Sequence, residues 1–265
     1  MLVSVIIPMY NSEVTIEGCI NSVMRQTYRG EMEIIIVNDG SRDRSQEIVE
    51  SLIENNRSKI LIKLFNKENG GVSSARNVGM RNANGNFIAL LDSDDFWAFN
   101  KLERQMEIFS KYPEIDFLGT NRNNEHLKRF LLKFFDDVTY ISARLLLLKW
   151  FFITPTVVFR REVFDSVGEF DESQKYAEEG NYWLRVCSEN CCALLNESLV
   201  TTGDGKPHFG HSGLSGNLLG MQQGEYKNLK DALNLKIINK IEYALLFLYS
   251  TAKYLRRLLI VKIRN

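Results

Sequence analysis

Three carboxylates crowd into four residues, Asp92, Asp94 and Asp95, directly after the apolar run Phe87-Ile88-Ala89-Leu90-Leu91. At that spacing they repel one another, and a counter-charge must make the cluster tolerable. A hard divalent cation, held by carboxylate oxygens and kept in place by substrate phosphates, meets the need. The competing reading is a solvated acidic turn whose Asp95 caps the helix that follows. A second acidic pair, Glu178-Glu179, precedes Gly180-Asn181-Tyr182-Trp183-Leu184-Arg185. Read by itself, that pair only favours the positive end of a helix dipole.

The elements that must position these groups follow from the apolar pattern. Five consecutive apolar residues at Phe87 predict a buried strand, central in a parallel sheet. Leu2 to Ile7, Glu33 to Val37 and Ile60 to Phe65 predict three more strands. Between them fall helices, one carrying Val14, Ile16, Cys19, Ile20, Val23 and Met24, the next Ile48, Val49, Leu52 and Ile53. A third helix is entered through the glycine turn Asn69-Gly70-Gly71. Strand alternating with helix is the pattern of a doubly wound α/β sheet, whose ligands sit at the carboxyl ends of the strands.

Three polar clusters fall at those ends: Pro8-Met9-Tyr10-Asn11, Asn38-Asp39-Gly40-Ser41 and Asp92-Ser93-Asp94. They converge on one crevice, which a solvated turn alone does not account for. A nucleoside diphosphate suits it. A cation on Asp94, with Asp92, bridges the phosphates. Asp39 accepts from a base N–H or a ribose hydroxyl, and Tyr10 covers the base. Neither a dinucleotide GxGxxG nor a P-loop is present.

Taken in order, Ser4-Val5-Ile6-Ile7-Pro8-Met9-Tyr10-Asn11, Ile35-Ile36-Val37-Asn38-Asp39-Gly40-Ser41, Gly71-Val72-Ser73-Ser74-Ala75-Arg76-Asn77-Val78-Gly79 and Leu90-Leu91-Asp92-Ser93-Asp94-Asp95 resemble the family 2 glycosyltransferases of GT-A fold. The resemblance is close over roughly the first 120 residues and looser to about 200. It implies a Rossmann-like, mostly parallel sheet flanked by helices. It implies an inverting transfer from a nucleotide sugar, a UDP-sugar, to a glycan or lipid-linked saccharide in bacterial surface polysaccharide or lipopolysaccharide assembly. The family's Asp-x-Asp motif falls on Asp92 and Asp94, with Asp94 binding Mn²⁺ or Mg²⁺ and Asp92 shared with the ribose. Pro8, Tyr10, Asn11, Asp39, Arg76, Asp92 and Ser93 make up the nucleotide-binding set. The general base falls on Glu179, where the family usually has Asp, and Glu178 is the rival. Asn38 stands where the family often has Asp.

Two other function classes are weighed against this one. A sugar nucleotidyltransferase would carry a glycine-rich, basic loop after its first strand, and Met9-Tyr10-Asn11-Ser12-Glu13 has no basic residue. A non-catalytic nucleotide-sugar-binding module would bind without turnover.

The second half gives weaker signals. Ile115 to Gly119 reads as a strand, and Asn121 to His126 as a mobile loop over the site. Val138 to Trp150 reads as a buried helix, Thr154 to Phe159 as a strand, and Arg161 to Val167 as a short helix stopped by Gly168. Tyr182 and Trp183 suit either a sugar-binding face or the core. Gly203 to Gly216 reads as a lid, with His208 and His211 either surface residues or additional ligands. The divisions expected are 1–224 as the catalytic domain, halved at 120/121 into nucleotide and acceptor parts, and 225–265 as a basic amphipathic helical extension.

Charge is uneven. The 265 residues carry 33 basic and 33 acidic side chains, so no global field favours nucleic acid. From Lys227 onward there are nine Lys/Arg against Asp231 and Glu242. Basic residues among Leu, Ile and Tyr fit a helix lying on an anionic bilayer, and a helical cap or a homodimer contact are the alternatives. Four cysteines without metal spacing read as reduced thiols. With no leader and no uncharged span long enough to cross a bilayer, the expectation is a cytoplasmic protein, peripheral at the inner face of the cell membrane.

Overall fold

The computed structural model describes residues 1–203 and 216–264. The first half winds as the apolar pattern demands: β1 (Leu2–Met9), α1 (Ile16–Met24), β2 (Glu31–Asn38), α2 (Ser45–Glu54), β3 (Leu61–Asn66), α3 (Val72–Arg81) and β4 (Phe87–Leu90). Strands β1 to β4 pair in parallel in the order β3-β2-β1-β4. Successive side chains sort to opposite faces. Ile6, Ile35, Ile88 and Leu90 pack on one side of the sheet, while Val5, Ile7, Ile34, Phe87 and Ala89 pack on the other. Gly79 of α3 lies so close to Ile6 that a Cβ there would collide with it. That approach seats α3 directly over β1.

Beyond β4 the sheet is mixed. The chain runs through β5 (Phe96–Trp97), α4 (Lys101–Lys111), β6 (Phe117–Arg122), the short hairpin β7 (Arg129–Phe130) and β8 (Lys133–Phe134), and β9 (Val138–Tyr140). Then come α5 (Ala143–Leu146), a 3-10 turn at Thr154–Thr156, β10 (Val158–Arg160), α6 (Arg161–Val167), α7 (Glu178–Glu189) and β11 (Cys192–Thr201). Two helices complete it, α8 (Leu218–Asn234) and α9 (Lys240–Arg264). Strand β10 inserts antiparallel between β4 and β6, and β11 runs parallel to β6. The result is a nine-stranded central sheet with helices around it.

Several expectations need correction here. Asp95 caps no helix: Phe96–Trp97 goes extended and pairs with β11, and α4 starts only at Lys101. Asn121 and Arg122 belong to β6 rather than to a loop, and Asn121 is buried with its amide on Asn196. Val138 to Trp150 is a strand and a single helical turn rather than one helix, because Val138–Tyr140 pairs with β11. Thr154–Thr156 is a 3-10 turn, and only Val158–Arg160 is strand. Tyr182 and Trp183 have no exposed surface and stack with Phe170 and Phe117, so they are core. The lid with His208 and His211 lies outside the described residues.

The 224/225 division falls inside α8. Glu225 is buried there and takes Arg257 and Lys253 of α9 as partners, with Ser250 donating as well. Two of the basic residues of the extension thus face inward. All four cysteines are free thiols. Among the described residues no helix is long and apolar enough to cross a membrane.

Candidate active site

Three loops close the crevice at the carboxyl ends of β1, β2 and β4, and they are stitched together. Asn11 adopts a left-handed backbone (φ 48°), its N–H donates to Ser41 Oγ at 3.0 Å, and its Oδ1 accepts from Arg42 N at 2.8 Å. Ser12 N–H donates to Ser45 Oγ at 2.7 Å, and its hydroxyl meets Ser93 Oγ at 2.7 Å. Asn11 and Ser93, expected at the nucleotide, also tie these loops to one another. Pro8 is buried inside β1, whereas Tyr10 is half exposed at its mouth.

Asp39 is committed to the fold. Its Oδ1 accepts from Lys67 Nζ at 2.6 Å and from Gly70 N at 2.9 Å, and its Oδ2 accepts from Gly71 N at 2.8 Å. Gly71 sits at φ 89°, a region an L side chain enters only with strain, and so turns two successive amides onto one carboxylate. Asp39 thereby sets the start of α3, the helix that carries Arg76.

Arg76 is the centre of the site. It is 4% exposed, donates from Nη2 to Asp92 Oδ1 at 2.8 Å and from Nη1 to Glu178 Oε1 at 3.2 Å, and lies 5.4 Å from the centroid of Phe170. One guanidinium thus joins two acidic clusters 86 residues apart in sequence. Burial works against its charge, but Asp92 and Glu178 outweigh that and hold its pKa above the ordinary value. Its Nε is buried without a hydrogen-bond partner among the described residues.

The three aspartates divide. Asp94 is exposed, Asp92 half-buried and Asp95 buried. Burial, with Asp92 and Asp94 close by, pushes the Asp95 carboxyl up to about 8, and its oxygen takes Gly203 N at 3.3 Å. Arg122 opposes that rise, and protonation of Asp95 relieves the crowding of like charge at the turn. Among the described residues, no group of three or more His, Cys, Asp or Glu side chains holds a metal by itself.

The two glutamates at the start of α7 have different partners. Burial raises the carboxyl of Glu178, with Arg76 opposing and Glu179 adding to the rise. Glu179 is half-buried and turns away from Arg76: its Oε2 accepts from Thr154 Oγ1 at 2.6 Å and from Thr154 N at 3.3 Å. Their direction is set by Ala177, left-handed at φ 53°, whose carbonyl accepts from Asn228 Nδ2 at 2.9 Å. Sequence reading missed Thr154, Ala177 and Asn228. Nothing in a Thr-Pro-Thr or an isolated Asn signals a partner 25 or 51 residues away.

A nine-stranded mixed sheet with an acidic turn at its centre defines the GT-A fold, and comparison with known proteins agrees. The chain matches the family described as glycosyl transferase family 2 over residues 4–168. It belongs to that family. Against EpsJ of Bacillus subtilis, an uncharacterized glycosyltransferase, it is 33% identical over 218 residues, covering 75% of this chain and 60% of that protein. Against the Escherichia coli UDP-Glc:alpha-D-GlcNAc-diphosphoundecaprenol beta-1,3-glucosyltransferase WfgD it is 32% identical over 221 residues, covering 82% and 80%. Staphylococcus aureus TarS 1–349 in complex with UDP-GlcNAc superposes with a TM-score of 0.72 at 22% identity, covering 97% of this chain and 72% of that one. The Pyrobaculum calidifontis mannosyltransferase PcManGT, solved with GDP-Man and Mn²⁺, gives 0.67 at 18% identity, covering 95% and 69%.

Proposed function

We propose that the chain moves a sugar from a UDP-sugar to a hydroxyl of a lipid-linked saccharide, with inversion, and with Mn²⁺ or Mg²⁺ as cofactor. The observation that carries the reading is the Arg76 bridge, which sets the Asp92–Asp95 turn beside the Glu178–Glu179 pair. Donor-side charge and acceptor-side base are then neighbours across one guanidinium.

The residues fit a divalent ion. Mg²⁺ is usually held by one or two carboxylates plus substrate phosphates, and Asp94 with Asp92 offers that set. When bound, the cation neutralises charge on the departing diphosphate. Arg76 orients Asp92, and its spare Nε–H suits a ribose or phosphate oxygen. Tyr10 covers the base at the mouth of β1. Glu179, oriented through Oε2 by Thr154, takes the proton of the attacking hydroxyl as that oxygen bonds to C1 and the C1–phosphate oxygen bond breaks. Glu178 is engaged by Arg76 and serves as its anchor, which favours Glu179 as base. The lipid-linked acceptor follows WfgD, whose name specifies a diphosphoundecaprenol-borne GlcNAc. Such an acceptor would be met by a protein peripheral at the inner face of the cell membrane, and that is the localisation proposed.

Thermal shift with UDP-Glc, UDP-GlcNAc and GDP-Man, each with Mn²⁺ or with chelator, tests this. A ligand at about 100 times its Kd adds about 2.7 kcal/mol, a rise of roughly 5 °C or more for a chain of this size. The expected result is a rise for a UDP-sugar with Mn²⁺, lost with chelator and in Asp94→Ala. An equal rise with chelator, or in Asp94→Ala, overturns the metal assignment.

A further inference from the structure

Two exposed apolar elements, apart in sequence, meet along one segment of the chain. The first is the hairpin β7–β8. Arg129 pairs with Phe134 and Phe130 with Lys133, leaving Leu131-Leu132 as a two-residue turn. Such turns favour Gly at a first position with positive φ, or Asn-Gly. Leu131 occupies it at φ 53°, a strained choice for a leucine. Leu131, Leu132 and Phe134 are 61%, 86% and 67% exposed. A turn that places two leucines in water, one of them strained, is explained by an apolar surrounding that the isolated chain lacks.

The second element is the outward face of α9. Ile241, Leu245, Leu248, Leu255, Leu259 and Ile263 recur three, four or seven residues apart and are all exposed, so they share one face of the helix. Both elements flank residues 148–151. Lys149 Nζ lies over the rings of Phe130 and Phe151, at 5.8 and 5.4 Å, and the Tyr249 hydroxyl reaches Leu148 O at 3.4 Å.

Charge selects the occupant. Among the described residues, the exposed charged side chains of α9 are all basic: Lys240, Arg256 and Lys262. Its acid, Glu242, is half-buried and bonded to Asn239 N and Arg144. Around the hairpin stand Lys128, Arg129, Lys133 and Lys149. The nearest following acids, Asp136 and Asp137, come after the buried Phe135 at the hairpin root. A symmetric pairing of this face with the same face of a second copy would bring like charge against like. An anionic lipid leaflet brings the complementary one.

We propose that the β7–β8 turn and the outward stripe of α9 form one membrane-docking surface. Leu131, Leu132 and Phe134 insert among the acyl chains, and α9 lies in the headgroup plane with Arg256 and Lys262 against anionic lipid. Lys253 and Arg257, paired with Glu225, take no part.

The proposal goes beyond the glycosyl-transfer reading, and its test needs no donor and no turnover. Wild-type protein is sedimented with phosphatidylcholine vesicles and with vesicles containing phosphatidylglycerol. Two variants are compared, Leu131→Asn with Leu132→Gly, and Leu248→Asp with Leu259→Asp. The first installs a preferred turn, so its melting temperature is expected to hold or rise. Wild type is expected to pellet with the anionic vesicles only, severalfold less at high salt. Each variant is expected to bind roughly tenfold or more weakly, since each removes two leucines from the apolar contact. Equal recovery with neutral vesicles, no recovery with either, or undiminished binding by the turn variant overturns the proposal. So does a wild-type dimer that the α9 variant converts to monomer, because the second copy is then the occupant.

Discussion

Replacing Arg76 by methionine removes the cation that joins the two acidic clusters, and the structure says where the loss falls. Asp92 has a side chain 27% exposed and can recover water. Glu178 has a side chain only 10% exposed and cannot. Removing one partner of a buried pair costs about 3–5 kcal/mol because the other charge is stranded. With water relieving Asp92, the lower end, about 3 kcal/mol, is expected for Arg76→Met at pH 7. That is a large part of the roughly 5–15 kcal/mol a domain has. Neutralising the stranded group with Glu178→Gln in the same chain is expected to restore about half or more, an interaction of the size neighbouring sites give. The deficit also depends on pH. Burial already lifts the Glu178 carboxyl above its ordinary value while Arg76 opposes the lift, so without Arg76 it rises further. A raised carboxyl destabilises as pH climbs from the unfolded value through the folded one. The Arg76→Met deficit is therefore full at pH 7 and narrows toward pH 5. Urea titration of wild type, both single variants and the double variant at pH 7 and pH 5 measures all four corners. A deficit that ignores pH, or a double variant no more stable than Arg76→Met, refutes the reasoning.

Two further outcomes are expected. Thr154→Val keeps shape but removes the hydroxyl that donates to Glu179, so the transfer rate is expected to fall roughly tenfold with donor binding unchanged, and Thr154→Ser is expected to restore it; an unchanged rate means that Thr154 only packs. Glu225→Gln is expected to cost about 2 kcal/mol at pH 7 by loosening α9 from α8. Burial opposes the charge of Glu225, but Lys253 and Arg257 hold its carboxyl below 4.5, so the difference from wild type, followed by urea unfolding, should persist above pH 4.5 and shrink as pH falls through the depressed value.

The winding from β1 to β4 was legible because each strand is a continuous apolar run and each helix shows a 3.6-residue stripe, while the polar clusters mark the strand ends. The Asp92–Asp94 turn could be placed for the same reason. Beyond Leu91 that legibility fades. Phe96–Trp97 and Val158–Arg160 are too short to show a period; the first is held extended by β11, about 100 residues later, and the second by β4 and β6, about 70 and 40 residues earlier. Leu145 to Leu148 looks like a long helix because apolar residues surround it on every side, yet the chain makes one turn there. Two amides from a turn about 30 residues downstream donate to the Asp39 carboxylate, a pairing the sequence does not signal. Thr154 could not be found in advance, since its role exists only after β10 folds back beside β4 and brings the 3-10 turn to α7. The strained Leu131 was hidden similarly: only the pairing of Arg129 with Phe134 reveals Leu-Leu as a turn.

The division of labour between the two glutamates bears most directly on the account. Transfer from a UDP-sugar in the presence of Mn²⁺ is measured for wild type, Glu179→Gln and Glu178→Gln, with UDP-sugar binding followed in parallel. Glu179→Gln is expected to bind the donor as wild type does and to lose transfer by about 10²–10⁴-fold, the usual worth of a positioned base. If Glu179→Gln keeps its transfer rate, Glu179 is not the base and the proposed chemistry at α7 is wrong.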